Sequence, residues 1–334
     1  MKLSDFDFEL PRELIAQRPA SPRDHARLLV YHRKTAQTTD DYFYNLEKYL
    51  PANTTLVLNN SKVEKCRLRF SQSGVEGFGA AELFVIETLN PTTIRALVRP
   101  GKKFGLGKSQ ELVSGLTVSV TDVDESGIRT LTLNKNIDDP AFDPYRLTPL
   151  PPYITQDESL SDQYQTVYAD PLGSKAAPTA GLHFTSEQLS KIRRSHPVAE
   201  LTLHVGLGTF APVKVDNVDE HVMHHEWYEV SASAAKSLNA ASHITAVGTT
   251  SARTLESLGR PFRAVSGQTN IFIKPGYKFH NVDALITNFH LPKSTLLMMV
   301  STLLGSTDEM HRIYAHAIDN EYQFYSFGDA MLIL

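Results

Sequence analysis

A single cysteine, Cys66, is all that the 334 residues contain. No internal disulfide framework is possible, which fits a reducing compartment. Cys66 sits in a strand-like run and reads as a small packing residue rather than a nucleophile. Long apolar runs are also missing. The longest, Leu296 to Leu304, is broken by Ser301 and Thr302 and falls far short of the ~20 residues that span a bilayer. The first residues carry no apolar leader, so a cytoplasmic protein with no membrane partner is expected. Charge of one sign is lacking too: 33 Lys and Arg stand against 37 Asp and Glu, so no global basic field advertises nucleic acid. Two local clusters remain, Lys62, Lys65, Arg67 and Arg69, then Arg99, Lys102, Lys103 and Lys108. Phosphate contacts and solvated strand faces look alike at this level.

Several motifs are absent. No G-x-G-x-x-G follows an early strand, which speaks against a dinucleotide-binding fold. No G-x-S-x-G occurs, which weakens a hydrolase reading. Gly101-Lys-Lys-Phe-Gly-Leu-Gly-Lys-Ser109 encloses five residues between its outer glycines where a phosphate loop needs four, so a hairpin is expected there. His221, His224 and His225 are dense in potential ligands. No cysteine pair accompanies them, and Glu229 stands where a metalloprotease helix needs its second histidine. No metal is expected.

What the chain does have is polar chemistry just past apolar runs. Ala177-Pro-Thr-Ala-Gly-Leu-His-Phe-Thr185 combines a stiff proline, a permissive glycine and His183 ahead of a helix start. Thr185 and Gln188 have capping-box spacing. Such a histidine suits anion binding or proton transfer, and equally a buried structural role. Leu203-His-Val-Gly-Leu-Gly-Thr-Phe210, Ala246-Val-Gly-Thr-Thr-Ser-Ala-Arg253 and the stretch from Asp283 to Thr295 have the same character. Each places polar groups beyond a strand-like run, and open α/β sheets bind ligands at the carboxyl ends of their strands.

The spacing predicts strands over 28–32, 55–58, 200–204, 227–230, 244–247 and 282–287, and helices over 186–194, 232–238, 251–258 and 293–304. A short helix is expected over 11–16. Between about 61 and 134 the pattern changes to closely spaced short strands with Gly, Asn and Pro turns. A stiff joint, Pro149-Leu-Pro-Pro-Tyr153, follows. The fold class is α/β: a layered α/β body from residues 1–60 and 149–334, interrupted by an inserted small antiparallel β-barrel domain over 61–148.

Taken in order, the segments resemble the S-adenosylmethionine:tRNA ribosyltransferase-isomerase family of queuosine biosynthesis. The likeness is carried by Phe8-Glu-Leu-Pro11, Arg27-Leu-Leu29, Pro149 to Ile154, Tyr164-Gln-Thr-Val-Tyr-Ala169 and Ala176 to Phe184. It continues in Thr202-Leu-His-Val-Gly206, Gly208-Thr-Phe210, Val247-Gly-Thr-Thr-Ser251, Ile271-Phe-Ile273, Thr287 to Pro292 and Phe327-Gly-Asp-Ala-Met331. Departures from the family pattern are Val63-Glu-Lys-Cys-Arg-Leu68, Gly79-Ala-Ala81, Lys274 and His225.

The resemblance implies transfer and isomerisation of the ribosyl part of S-adenosylmethionine. The acceptor would be 7-aminomethyl-7-deazaguanine at the tRNA wobble position, and the products epoxyqueuosine-tRNA, adenine and methionine. No cofactor or metal is implied; a monomer is favoured. A sulfonium acidifies its neighbouring C5′ hydrogens, so a modest base can act. The candidates for acid–base work are His183, ranked first, with His204, Glu226 and His290. Substrate binding is expected from Thr179, Gly181, Thr249, Thr250, Ser251, Arg253 and Asn288, with Asn288 or His290 donating to adenine. Phe210, Trp227 or Tyr228 would face the sulfonium. Contacts with the anticodon loop are expected from Arg23, Arg27, Tyr153, Tyr164 and Tyr168. Two other readings stay open: a methyltransferase, and a catalytically idle RNA-binding protein.

Overall fold

Thr-Thr-Leu-Val-Leu-Asn at residues 54–59 is buried at every position. A β-branched and leucine-rich run of this kind, with no polar alternation, belongs in the middle of a sheet covered on both faces. The computed structural model describes residues 1–70, 80–206, 208 and 213–334. The chain divides into two compact units, Met1–Lys62 with Leu150–Leu334, and Val63–Pro149.

The first unit begins with β1 (Arg27–His32), β2 (Gln37–Tyr42) and β3 (Thr54–Asn59), and β4 (Lys62–Val63) lies at the divide. The second unit holds β5 (Arg67–Phe70), β6 (Ala81–Asn90), β7 (Thr93–Arg99), β8 (Ser109–Val113), β9 (Leu116–Val123), β10 (Arg129–Leu133) and β11 (Arg146–Leu147). The first unit resumes with β12 (Leu172–Ser174), α1 (Ser186–Ser195), β13 (Val198–Leu203), β14 (Glu226–Val230), α2 (Ala232–Ala240), β15 (His243–Val247) and α3 (Thr249–Glu256). It closes with β16 (Val265–Thr269), β17 (Ala284–Asn288), α4 (Thr295–Leu304), α5 (Thr307–Asp319) and β18 (Ala330–Ile333).

The large sheet runs β16-β14-β13-β3-β15-β17-β18-β1-β2. Its centre, β13-β3-β15-β17, is parallel, while β14 and β16 pair antiparallel, and β18 is antiparallel to β17 but parallel to β1. Strand periodicity sorts the side chains into two layers. Leu28, Val30, Leu56, Leu58, Val247, Ile286 and Leu332 pack with Phe184, Leu189 and Ile192 around α1. Leu29, Tyr31, Val57, Ala246, Leu285, Met331 and Ile333 face the opposite way, onto α2 to α5. This is a mixed α/β body in three layers.

Side-chain caps start four of the five described helices, and α3, expected over 251–258, spans Thr249–Glu256 behind Gly248 with no such cap. Thr185, Ser231, Ser294 and Ser306 each accept a hydrogen bond from the amide three residues on, as good N-caps do. The Gln188 side chain bonds the Phe43 carbonyl at 2.7 Å, so only half of the expected capping box forms. Gly305, at φ 100°, closes α4 in the left-handed region that favours glycine. The expected helix over 11–16 is only a 3-10 turn, Arg12–Leu14, since Pro11 and the short apolar run cannot sustain more.

The second unit is an antiparallel sheet in the order β11-β5-β6-β7-β10-β9-β8. Alternating burial along β7 and β9 gives it one apolar face. Among the described residues β11 and β8 remain its two ends, so the expected small barrel is present as an open sheet. Residues 101–109 are not a hairpin. They form a 3-10 turn, Gly101–Lys103, that leads into β8, and β8 pairs with β9 rather than with β7. Cys66 is buried here, and burial pushes its thiol up to about 12, which makes it inert.

Among the described residues no helix is long and apolar enough to cross a membrane.

Candidate active site

A pocket opens at the carboxyl ends of β13, β15 and β17, as expected for a parallel centre. Four segments build its wall: 177–180, 248–250, 287–291 and 325–326. Pro178 leads into the 3-10 turn Thr179–His183. Gly248, at φ 87°, makes the sharp corner into α3 that a residue with a Cβ resists. Tyr153 closes one side, its hydroxyl 2.7 Å from Ser326 Oγ. Burial raises that phenol to about 12, so it stays protonated. The described lining contains aromatic, aliphatic, hydroxyl, amide and imidazole groups, with no carboxylate and no Lys or Arg.

Beneath the opening lies a polar floor. Asn288 Nδ2 donates to the Tyr325 carbonyl at 3.0 Å and to His183 Nε2 at 3.3 Å. Tyr325 holds φ 74°, rare for a residue with a Cβ. His183 is buried with its ring 5.0 Å from that of Phe43. Burial, and then the charge of Arg23, push it down to about 4. His290 lines the pocket, with Nε2 2.8 Å from Thr287 Oγ1. Burial pushes it down to about 3. Both imidazoles are therefore neutral near pH 7.

The family model for queuosine biosynthesis proteins matches residues 3–333. The chain belongs to that family. The S-adenosylmethionine:tRNA ribosyltransferase-isomerase of Symbiobacterium thermophilum is 45% identical, with all of both chains covered. A crystal structure of S-adenosylmethionine tRNA ribosyltransferase from Thermotoga maritima is 36% identical, covers 99% of this chain and 100% of its own, and superposes with a TM-score of 0.56. The resemblance seen in the motifs is borne out, and the chain is an enzyme of the queuosine biosynthesis family.

Of the residues expected at the site, Thr179, Thr249, Thr250, Asn288, His290 and Tyr153 line this one pocket. Asn59, unforeseen, ties the neighbourhood together at the end of β3. It donates to the Leu203 carbonyl and to Thr250 Oγ1, and accepts from the Leu203 amide. His183 lies behind Asn288 rather than in the lining. Gly181 is buried under Tyr168, whose hydroxyl fills the place of a Cβ. Ser251 donates to the Val247 carbonyl at 2.8 Å inside its own helix, so it is not free for substrate.

Others sit apart from the pocket. Glu226 and Arg253 form a buried ion pair; Glu226 also accepts from the Gly206 amide at 3.0 Å, and Arg253 Nε from its side reaches the Ile271 carbonyl at 3.4 Å. His204 stacks on Trp227, ring centroids 5.1 Å apart, and presses against Gly173. Phe210 lies outside the described residues.

The expected anticodon contacts need correction. Tyr164 is fully buried and has no face for a base. Arg23 donates to the carbonyls of Gln165, Asp162 and Gln163, and Arg27 to that of Asn320 while it covers the Tyr322 ring. Both guanidiniums hold the chain's own loops. The departure Lys274 likewise pairs with Asp219. Tyr325 and Ser326 were missed as pocket residues. Their one signal was the family motif that starts at Phe327, immediately after them.

Among the described residues no three or more His, Cys, Asp and Glu side chains gather as a metal site.

Proposed function

We propose that this enzyme transfers and isomerises the ribosyl moiety of S-adenosylmethionine onto 7-aminomethyl-7-deazaguanine in tRNA. Epoxyqueuosine-tRNA, adenine and methionine are the products. The observation that carries the reading is convergence. The 176–184, 247–251 and 287–292 motifs, which bear the family likeness, meet in one pocket. Its neutral, aromatic lining suits a purine, and the names of the relatives point to S-adenosylmethionine and tRNA.

His290 is the acid–base candidate that lines this pocket. Its Nε2 lies 2.8 Å from the Thr287 hydroxyl; in the tautomer that accepts from that hydroxyl, the proton is on Nδ1. A neutral imidazole N–H in a dry site can donate to a ring nitrogen of the departing adenine, where charge develops. The Val63–Pro149 unit is read as the β-barrel insertion of the family, and tRNA as the partner.

The test is incubation of the protein with S-adenosylmethionine and tRNA bearing the deazaguanine precursor, followed by mass spectrometry. Free adenine and methionine in step with modified tRNA support the proposal. S-adenosylhomocysteine instead would mark a methyltransferase, and binding without turnover an idle RNA-binding protein.

A further inference from the structure

Asn288 is 2% exposed at the carboxyl end of β17. Its amide nitrogen carries two hydrogens, and both have acceptors, the Tyr325 carbonyl and His183 Nε2. A backbone carbonyl only accepts, so the Tyr325 contact decides which end of the amide is nitrogen. Asn288 Oδ1 is therefore held as the remaining end, and it is buried with no hydrogen-bond partner among the described residues. No other buried side-chain polar atom of the described pocket lining is left in this condition. A buried, unpaired acceptor costs free energy until a donor arrives.

The donor that fits is an uncharged N–H. An ammonium would want a carboxylate nearby, and the described lining has none. The Tyr153 and Tyr325 rings, with Leu291 and Leu296, offer apolar surface for a heteroaromatic ring instead. We propose that Asn288 Oδ1 is the specificity-determining acceptor of the pocket and receives a hydrogen from the exocyclic amino group of a purine. The proposal rests on the reading that this pocket takes S-adenosylmethionine.

It also reassigns two residues. Asn288 is an acceptor for the purine rather than a donor. His183 is a positioning residue: the lone pair of its Nε2 receives the Asn288 hydrogen, which keeps the amide from turning over. Burial keeps that imidazole neutral, so the lone pair persists at working pH.

The test is equilibrium binding by calorimetry without tRNA, so that no turnover intervenes. The unmodified protein is titrated with S-adenosylmethionine, with its analogue lacking the 6-amino group, and with the 6-oxo analogue. Loss of the amino group should weaken binding about tenfold, and the 6-oxo group, oxygen against oxygen, should weaken it further. Asn288→Leu should bind S-adenosylmethionine and the 6-unsubstituted analogue alike. His183→Gln, which keeps an acceptor, should retain the discrimination, and His183→Leu should lose it. Binding of the 6-unsubstituted analogue to the unmodified protein within threefold of S-adenosylmethionine overturns the proposal, whether or not any variant folds. Undiminished discrimination in a folded Asn288→Leu also overturns it, by placing the acceptor elsewhere. No binding of S-adenosylmethionine at all would instead strike down the proposed function.

Discussion

The Tyr168 hydroxyl occupies the space above Gly181 that a side-chain carbon would take. That oxygen is buried and has no hydrogen-bond partner among the described residues. Gly181→Ala should therefore destabilise the protein by about 1–3 kcal/mol through overpacking. Tyr168→Phe alone should change stability by less than about 1 kcal/mol, and should relieve part of the Gly181→Ala penalty. Urea denaturation of the two single variants and the double variant measures the coupling. Additive effects would show that the two residues do not share this space.

His290 lines the pocket in its neutral form. His290→Phe should lower kcat for adenine release about 100-fold or more and leave the binding of S-adenosylmethionine within a fewfold, the signature of a contact made mainly in the transition state. A loss of binding with unchanged kcat would make it a ground-state contact.

Acid should destabilise the fold before most carboxylates titrate. His183 and His290 are held below their ordinary value, at about 4 and about 3. The unfolded chain therefore binds protons from about pH 6.5 downward that the folded chain refuses. The stability associated with the neutral forms is fully present above pH 6.5 and is lost as pH falls from there toward the folded values. Each should contribute about 2 kcal/mol of loss by pH 5. Denaturation midpoints from pH 7.5 to 5 check this, and His183→Gln should make the slope shallower. An unchanged slope would mean that His183 titrates normally.

Arg253 and Glu226 are 5% exposed each. Arg253→Met strands a buried carboxylate and should cost about 3–5 kcal/mol. Adding Glu226→Gln should recover much of that loss, because an uncharged amide no longer needs the counter-ion. If the double variant is no more stable than the single one, the pair is not what holds the two side chains inside.

Arg23 binds three backbone carbonyls of the 162–165 loop. Arg23→Ala should lower the melting temperature and leave the salt dependence of tRNA affinity unchanged. A lost phosphate contact would reduce the log–log slope by roughly 0.7–0.9. A slope change of that size would place Arg23 on the RNA after all.

Elements whose own residues carry the burial pattern were legible. β3 and β17 are largely apolar runs, and the cap Thr185 announces α1. β16, Val-Ser-Gly-Gln-Thr, has almost no apolar signal. It is a strand because β14 pairs with it along five residues, which no local pattern encodes. α5 was missed although Met310, Ile313, Tyr314 and Ala317 mark one buried helical face. The site was half legible for the same reason. Glycine and threonine corners past strands pointed to the pocket, but a histidine in such a corner has no sequence mark that tells lining from foundation.

The residue order alone determined the α/β alternation, the start of α1, the end of α4 and the family, because propensity, capping and apolar periodicity act over a few neighbouring residues. Only the folded chain decided that His290 meets the pocket while His183 stands behind Asn288, that Glu226 is held by Arg253, and that Arg23 and Arg27 hold loops. Those outcomes depend on which groups are buried together. The His183–Asn288 contact joins residues 105 positions apart, and a partner at that separation is supplied by packing and not by any local pattern.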